Sequence, residues 1–210
     1  MDPRIVRKNF PKNVITRTNY RSAWHCLASD FENRCAYSMQ HTARAGGPKC
    51  MEVDHFNPNR KRDSIQNYSN LYPATRHCNG AKRDRWPKGK DRAAGMRFLD
   101  CCKEADFGLH IFEDPDTHEL VGVTPPGKYH VRACDLNAPH LVNERRQRAE
   151  ALRFLSSPLK IKMTKDWDLP EPAAQLQEFV REMIPPIPYL TGPELEKQRQ
   201  RRAAMAAALQ

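Results

Sequence analysis

The chain has 210 residues, of which 39% are hydrophobic and 17 are proline, and it carries a formal net charge of +10 from 35 Lys and Arg against 25 Asp and Glu. That is enough chain for one modest core with long irregular connections, and the basic balance favours an anionic partner, nucleic acid above all. Seven cysteines at irregular spacing argue against a disulfide-stapled secreted domain, and no apolar run approaches the ~20 residues of a membrane span. The opening MDPRIVRKNF has no apolar h-region, so no signal peptide is expected and a soluble, cytoplasmic protein is.

Residues 1–20 are basic and polar without a clear period and read as an arm. Over 21–34, Trp24, Leu27, Ala28 and Phe31 fall at helical spacing and predict a short amphipathic helix. A loop then runs to the Gly46-Gly47-Pro48 breaker. Cys50 to Phe56 reads as a strand, 57–69 as a polar basic loop, and 70–74 as a second strand that Pro73 places at an edge or an end. Thr75 is the N-cap of a short helix over 76–85, stopped by Trp86-Pro87. A helix is expected over 88–105, with Ala93, Met96, Phe98, Leu99 and Cys102 as its apolar positions. A β-meander follows over 109–134, with strands at 110–112, 120–123 and 129–131 and turns at 114–116 and 125–127. A helix over 140–155 would face the core with Leu141, Val142, Ala149, Leu152 and Leu155. Beyond Ser156 prolines punctuate the chain, leaving helices at 173–184 and 193–208.

The chemistry gathers around Val53-Asp54-His55-Phe56. Asn70 opens the second strand, Asn79 lies in the following helix, and Lys82 comes three residues later. A strand–loop–strand–helix unit can return its helix beside the first strand, which lets Asp54 and Asn79 converge. A carboxylate and an amide are hard oxygen ligands and suit Mg²⁺ or Mn²⁺. His55, pointing the other way from its neighbour on a strand, can take a proton from water near neutral pH. The opposing interpretation is mundane: an Asp-His pair arises by chance, and Asn70 and Asn79 alone would be turn and cap residues.

This segment, 34–87, resembles the HNH, or ββα-metal, endonucleases. The likeness rests on DH, an Asn fifteen residues after the histidine, a second Asn nine later, and the CNxxK run, with RCAYSM at 34–39 similar to an RCxYC entry. It covers about a quarter of the chain. It implies an α+β fold built on a ββα-metal finger, with a small β-meander and helical extensions. It also implies roles: Asp54 and Asn79 as ligands of Mg²⁺ or Mn²⁺, His55 as general base, and Asn70 as the residue that fixes the loop beside it. Lys82 would be a phosphate contact, joined by Arg60, Lys61, Arg62 and Arg83. The structural zinc of such fingers would fall on Cys35, Ser38, Thr75 and Cys78, where two thiols are missing; His77, His41 and Cys50 are the available substitutes.

The expected layout is an arm and helix over 1–34, a nuclease core over 35–87, a packed α+β extension over 88–156, and a Pro-rich helical segment over 157–210 suited to partner docking. DNA rather than RNA is the expected substrate. The resemblance extends to nuclease subunits of bacterial anti-phage systems such as Septu and retron effectors, which implies an ATPase partner, and homing and phage-encoded HNH enzymes stay open beside them. A non-catalytic nucleic-acid-binding or scaffold module and an RNA-cleaving nuclease stay open as alternatives.

Overall fold

The computed structural model describes residues 2–11, 19–60, 67–156, 175 and 179–208. Among them the fold is α+β, with two small antiparallel sheets and helices around them. A 3₁₀ turn (Tyr20–Ala23) leads into α1 (Trp24–Asp30), shorter than the 21–34 expected. Strand β1 (Met51–His55) pairs with β2 (Leu71–Thr75), setting Asp54 opposite Tyr72 and His55 opposite Leu71. All five β2 residues are buried, because α1 and α2 both pack on this strand.

Helix α2 (Arg76–Lys82) starts as its sequence dictates: Thr75 is extended, and its Oγ1 accepts a hydrogen bond from Cys78 N at 3.2 Å. A cap of this kind is worth about 1 kcal/mol. The helix ends before the expected Arg85, at Arg83, whose φ is +48° and whose N–H closes onto Asn79 O. Trp86 then stacks on Phe98 at 5.8 Å and meets Phe56 edge-on.

The expected helix over 88–105 is reduced to α3 (Gly89–Ala93). Gly95 has φ +75°, and Phe98, Leu99, Asp100 and Cys101 are buried one after another. A helix cannot bury four consecutive residues on one stripe, so this stretch crosses the core as irregular chain. Its polar groups are answered locally: the Tyr72 hydroxyl donates to the Asp100 carboxylate, which also accepts from Cys102 N.

Strands β3 (Ile111–Glu113) and β4 (Leu120–Gly122) form the expected hairpin, but the third strand is absent: residues 129–131 lie in α4 (Pro125–Ala133). Pro125-Pro126-Gly127, read as a turn, is the first turn of that helix. Proline is tolerated there because the first N–H groups have no helical partner, and Thr124 caps Gly127 N at 3.2 Å. Glycine is required at the contact between β4 and α4. A Cβ on Gly122 would sit 2.2 Å from Lys128 N, and one on Gly127 would sit 2.2 Å from His110 O.

Helix α5 (Pro139–Leu155) forms where expected, with a different inner face. Leu141, Glu144, Arg145 and Arg148 are its buried residues, while Val142, Ala149, Leu152 and Leu155 are only partly covered. The period is helical, but charges fill the core positions. They bind a strap over 183–190. Arg148 donates to the carbonyls of Ile184 and Pro185, Glu144 accepts from Ile184 N, and Glu113 exchanges backbone hydrogen bonds with Pro188 and Leu190. Met183, Ile184, Ile187 and Leu190 are buried. The strap enters the same core cluster as Cys35, Met51, Phe98, Leu120 and Leu141, so the core runs across the expected boundaries at 87 and 156.

Of the helix expected at 173–184, residues 179–182 are helical and much of the rest lies outside the described residues; α6 (Gly192–Ala207) follows the strap. The N-terminal arm is held too. Arg4 forks onto Asp106, and Arg7 donates to the carbonyls of Tyr68 and Leu71, just before and within β2.

Candidate active site

Period two on β1 meets period 3.6 on α2. Glu52 and Asp54 share one side of the strand, and Asn79 and Lys82, three residues apart, face them from the helix. The partners are matched in order. Asn79 Nδ2 lies 2.6 Å from Glu52 Oε2, and Lys82 Nζ lies 2.8 Å from Asp54 Oδ2.

Lys82 is fully buried. Its ammonium also donates to His55 O at 3.0 Å and lies over the rings of Phe98 and Tyr37. The expectation of a phosphate contact is therefore corrected: a buried lysine cannot reach a substrate, and this one neutralises a buried carboxylate, without which either charge would be very costly. The Tyr37 hydroxyl donates to the same Asp54 Oδ2. Burial and the Asp54 charge push the Tyr37 phenol well above its ordinary range, so it stays a donor.

His55 ends β1 half-buried, its ring against Tyr20 with centroids 4.8 Å apart. The chain just after it is clamped by Asn70. Asn70 Oδ1 accepts from Asn57 N at 2.8 Å, Asn70 Nδ2 donates to Asn57 O at 3.1 Å, and Asn70 O accepts from Phe56 N. The Lys82 bond at its carbonyl and the Asn70 bonds at residues 56 and 57 fix the backbone from His55 onward.

A cleft of about 520 Å³ runs along β1. It is lined by Tyr20, Arg21 and Trp24, by Lys49, Glu52 and Val53, and by Arg76 and Asn79. Arg76 donates to Lys49 O at 2.8 Å and approaches Glu52 Oε1 at 3.5 Å. The sequence reading missed Glu52 and Arg21. Glu52 had a signal: it lies two residues before Asp54, on the same side of the strand. Arg60 ends a 3₁₀ turn and is exposed, and Arg83 is exposed with its Nε on Gly80 O. Lys61 and Arg62 lie outside the described residues.

The oxygen-bearing side chains on the α2 side of β1 are Glu52, Asp54 and Asn79. Glu52 and Asn79 face the cleft, and a carboxylate with an amide fits a divalent hard cation that keeps most of its waters. Asp54 Oδ2 is already matched to an ammonium. Among the described residues, no three His, Cys, Asp or Glu side chains come together as a metal-ligand group.

The four positions where the resemblance would place structural zinc do converge. Cys35 Sγ accepts from Ser38 N at 3.5 Å and from Thr75 Oγ1 at 3.9 Å, and Thr75 in turn caps Cys78 N. All four are buried. Two thiols and two hydroxyls do not fit structural zinc, which needs four nitrogen or sulfur ligands. Two of the proposed substitutes are engaged elsewhere: His77 with Asp135 and His140, and His41 with Ala43 N. Hydrogen bonding to Cys35 and burial push the Cys78 thiol well up, so it remains protonated. No helix among the described residues is long and apolar enough to cross a membrane. Compared with known proteins, the chain matches no family model, no curated protein and no solved structure.

Proposed function

We propose that the protein is a metal-dependent endonuclease of the HNH, or ββα-metal, type, acting on DNA. One observation carries the reading: a hairpin followed by a helix anchors the backbone at and just after His55, through Lys82 and Asn70, and Tyr20 joins the His55 ring to a basic cleft lined by Asn79 and Glu52. Such rigid placement is what a general base requires. His55 accepts a proton from water as the oxygen attacks phosphorus, and the 3′ oxygen leaves and takes a proton from solvent water, giving a 5′-phosphate and a 3′-hydroxyl. Asn79 with Glu52, and Asp54 on exchange of Lys82, would hold Mg²⁺ or Mn²⁺. When bound, that ion supplies charge stabilisation at the scissile phosphate. An ATPase partner and a role in anti-phage defence follow from the resemblance alone and would be read by pull-down.

A second reading is favoured by one contact: Lys82 already neutralises Asp54, as suits a nucleic-acid-binding module without catalysis. Cleavage of plasmid DNA and of RNA, with Mg²⁺, Mn²⁺ or a chelator, separates the two. The nuclease reading expects metal-dependent cutting that His55→Ala reduces by about 10²- to 10⁴-fold, with binding retained. Wild type and variant that bind equally and are equally inert would establish the binding module.

A further inference from the structure

The cleft along β1 gathers cations that no motif assigns. Arg21 comes from the 3₁₀ turn before α1, Lys49 from the 3₁₀ turn before β1, and Arg76 from the first residue of α2. They are 28 and 27 residues apart in the chain, so only the fold brings them to one opening. Arg21 and Lys49 are exposed, and the Arg76 side chain is 68% accessible. One acid lines the cleft, Glu52, and it faces Arg76 and Asn79. The opening therefore presents a net positive charge beside an apolar wall of Tyr20 and Trp24.

We infer that this cleft, rather than the basic loop over 59–62, is where the protein holds its nucleic acid, and that the ligand is a single strand. Arg21 and Lys49 contact consecutive phosphates, and Arg76, held by Lys49 O and Glu52, presents its guanidinium to the same backbone. The cleft has the volume of a small-ligand pocket, on the order of 300–1,000 Å³, which accommodates a stretch of one strand and not both strands of a duplex. Cations along a backbone with aromatic rings beside the bases is the arrangement by which proteins hold single strands without reading sequence. Tyr20 joins this cleft to His55, since its ring lines the one and packs on the other. The inference rests on the nuclease reading only for the position of the scissile bond, and binding is testable without it.

The experiment is fluorescence anisotropy of a labelled 20-nucleotide single-stranded DNA, in chelator so that nothing is cut, across a salt series. The variant is Arg21→Ala/Lys49→Ala. The control is Lys90→Ala/Arg92→Ala, which removes the same charge from exposed positions on α3, outside the cleft. The cleft pair is expected to weaken binding at least tenfold and to flatten the log–log salt slope by about 1.4, the value for two phosphate contacts on a single strand. The control should shift binding less than threefold, and a duplex of the same sequence should bind more weakly than the strand. Equal losses in the two pairs would mean that only the overall field attracts the strand and would overturn the site. No loss in the cleft pair would overturn it too, and tighter binding of the duplex would overturn the strand assignment. If the cleft pair alone loses binding while no metal supports cutting, the site stands and the nuclease reading falls.

Discussion

Two carboxylates are buried on strands of this chain, and they are answered in different ways. Glu113 on β3 accepts from Nη2 of Arg148 on both of its oxygens, at 2.8 and 2.6 Å, and pairs with His118 Nδ1 at 2.8 Å. Arg148 passes the connection on to two carbonyls of the strap. Asp54 on β1 takes a lysine, and both its ammonium and the Tyr37 hydroxyl fall on Oδ2. A guanidinium is a rigid plane of donors, so one nitrogen holds the carboxylate while another holds the strap, whereas an ammonium is a point charge on a flexible stem. The Glu113 cluster is a closed joint between a strand, a helix and the strap. The Asp54 cluster places both donors on one carboxylate oxygen beneath the candidate site, which under the proposed function suits a carboxylate that changes partners.

The comparison can be broken by isosteric amides. Glu113→Gln puts an amide NH₂ against Arg148 and leaves a buried guanidinium without a counter-charge. It should lower unfolding free energy by about 3–5 kcal/mol in urea and make 183–190 sensitive to protease. Asp54→Asn also leaves a buried cation, Lys82, without its counter-charge. A lysine can shed its proton or move on its flexible stem where a guanidinium cannot, so the loss should be smaller, about 1–3 kcal/mol. Equal losses would show that the guanidinium confers nothing beyond its charge.

Acid should sharpen the contrast next, because His130 borders the Asp54 cluster. Its ring lies 5.8 Å from Tyr37, its Nδ1 accepts from Leu99 N, and its Nε2 is buried without a hydrogen-bond partner. Burial pushes its pKa from 6.5 down to about 4, with Arg4 and Lys82 acting in the same direction and Asp106 and Glu104 against it. Between those values the unfolded chain binds more protons than the native one. The stabilising effect of a neutral His130 is thus complete above pH 6.5 and is lost as pH falls toward 4, by up to about 3 kcal/mol. Urea midpoints measured from pH 7 to 4 should show this loss, and His130→Gln should flatten it.

The smallest effect belongs to α6, which no buried side chain anchors. Arg199 and Arg202 reach Asp116 at 2.8 and 2.7 Å, and Arg202 also meets Asp114. Arg199→Ala/Arg202→Ala should speed hydrogen exchange within α6 and leave the urea midpoint where it was, since exposed pairs contribute little to global stability.

The sequence was most legible where punctuation was strong. Gly46-Gly47-Pro48, the Thr75 cap and the polar loop between the strands bound β1, β2 and α2 to within a few residues. Spacing let Asp54 and Asn79 converge in one strand–loop–strand–helix unit, and the resemblance to HNH fingers added His55 and Asn70 and grouped Cys35, Ser38, Thr75 and Cys78. Legibility failed where burial ran against residue type. Lys82 read as a surface cation because its neutralising partner is 28 residues away, and Glu144, Arg145 and Arg148 read as the outer face of α5 for the same reason. Pro125-Pro126 is punctuation with two meanings, a turn or a first helical turn, and the Thr124 cap decides between them only in three dimensions. The strap could not be read at all, because an extended Pro-rich segment acquires its core contacts only from α5 and β3.

That strap also imposes an order in time. Arg34 donates to Met39 O and, across 149 residues of chain, to Met183 O, and Gln40 is bound by Glu144. At about 5–20 residues per second a ribosome takes roughly 7–30 s to make that interval. Throughout it the entry loop at 34–40 lacks its final partners and the floor of the core is open. Long-range contacts of this kind slow folding. The nascent hairpin and its helix thus wait, incompletely covered, for the segment that closes them, which makes the last-made buried residues the step that commits the whole fold.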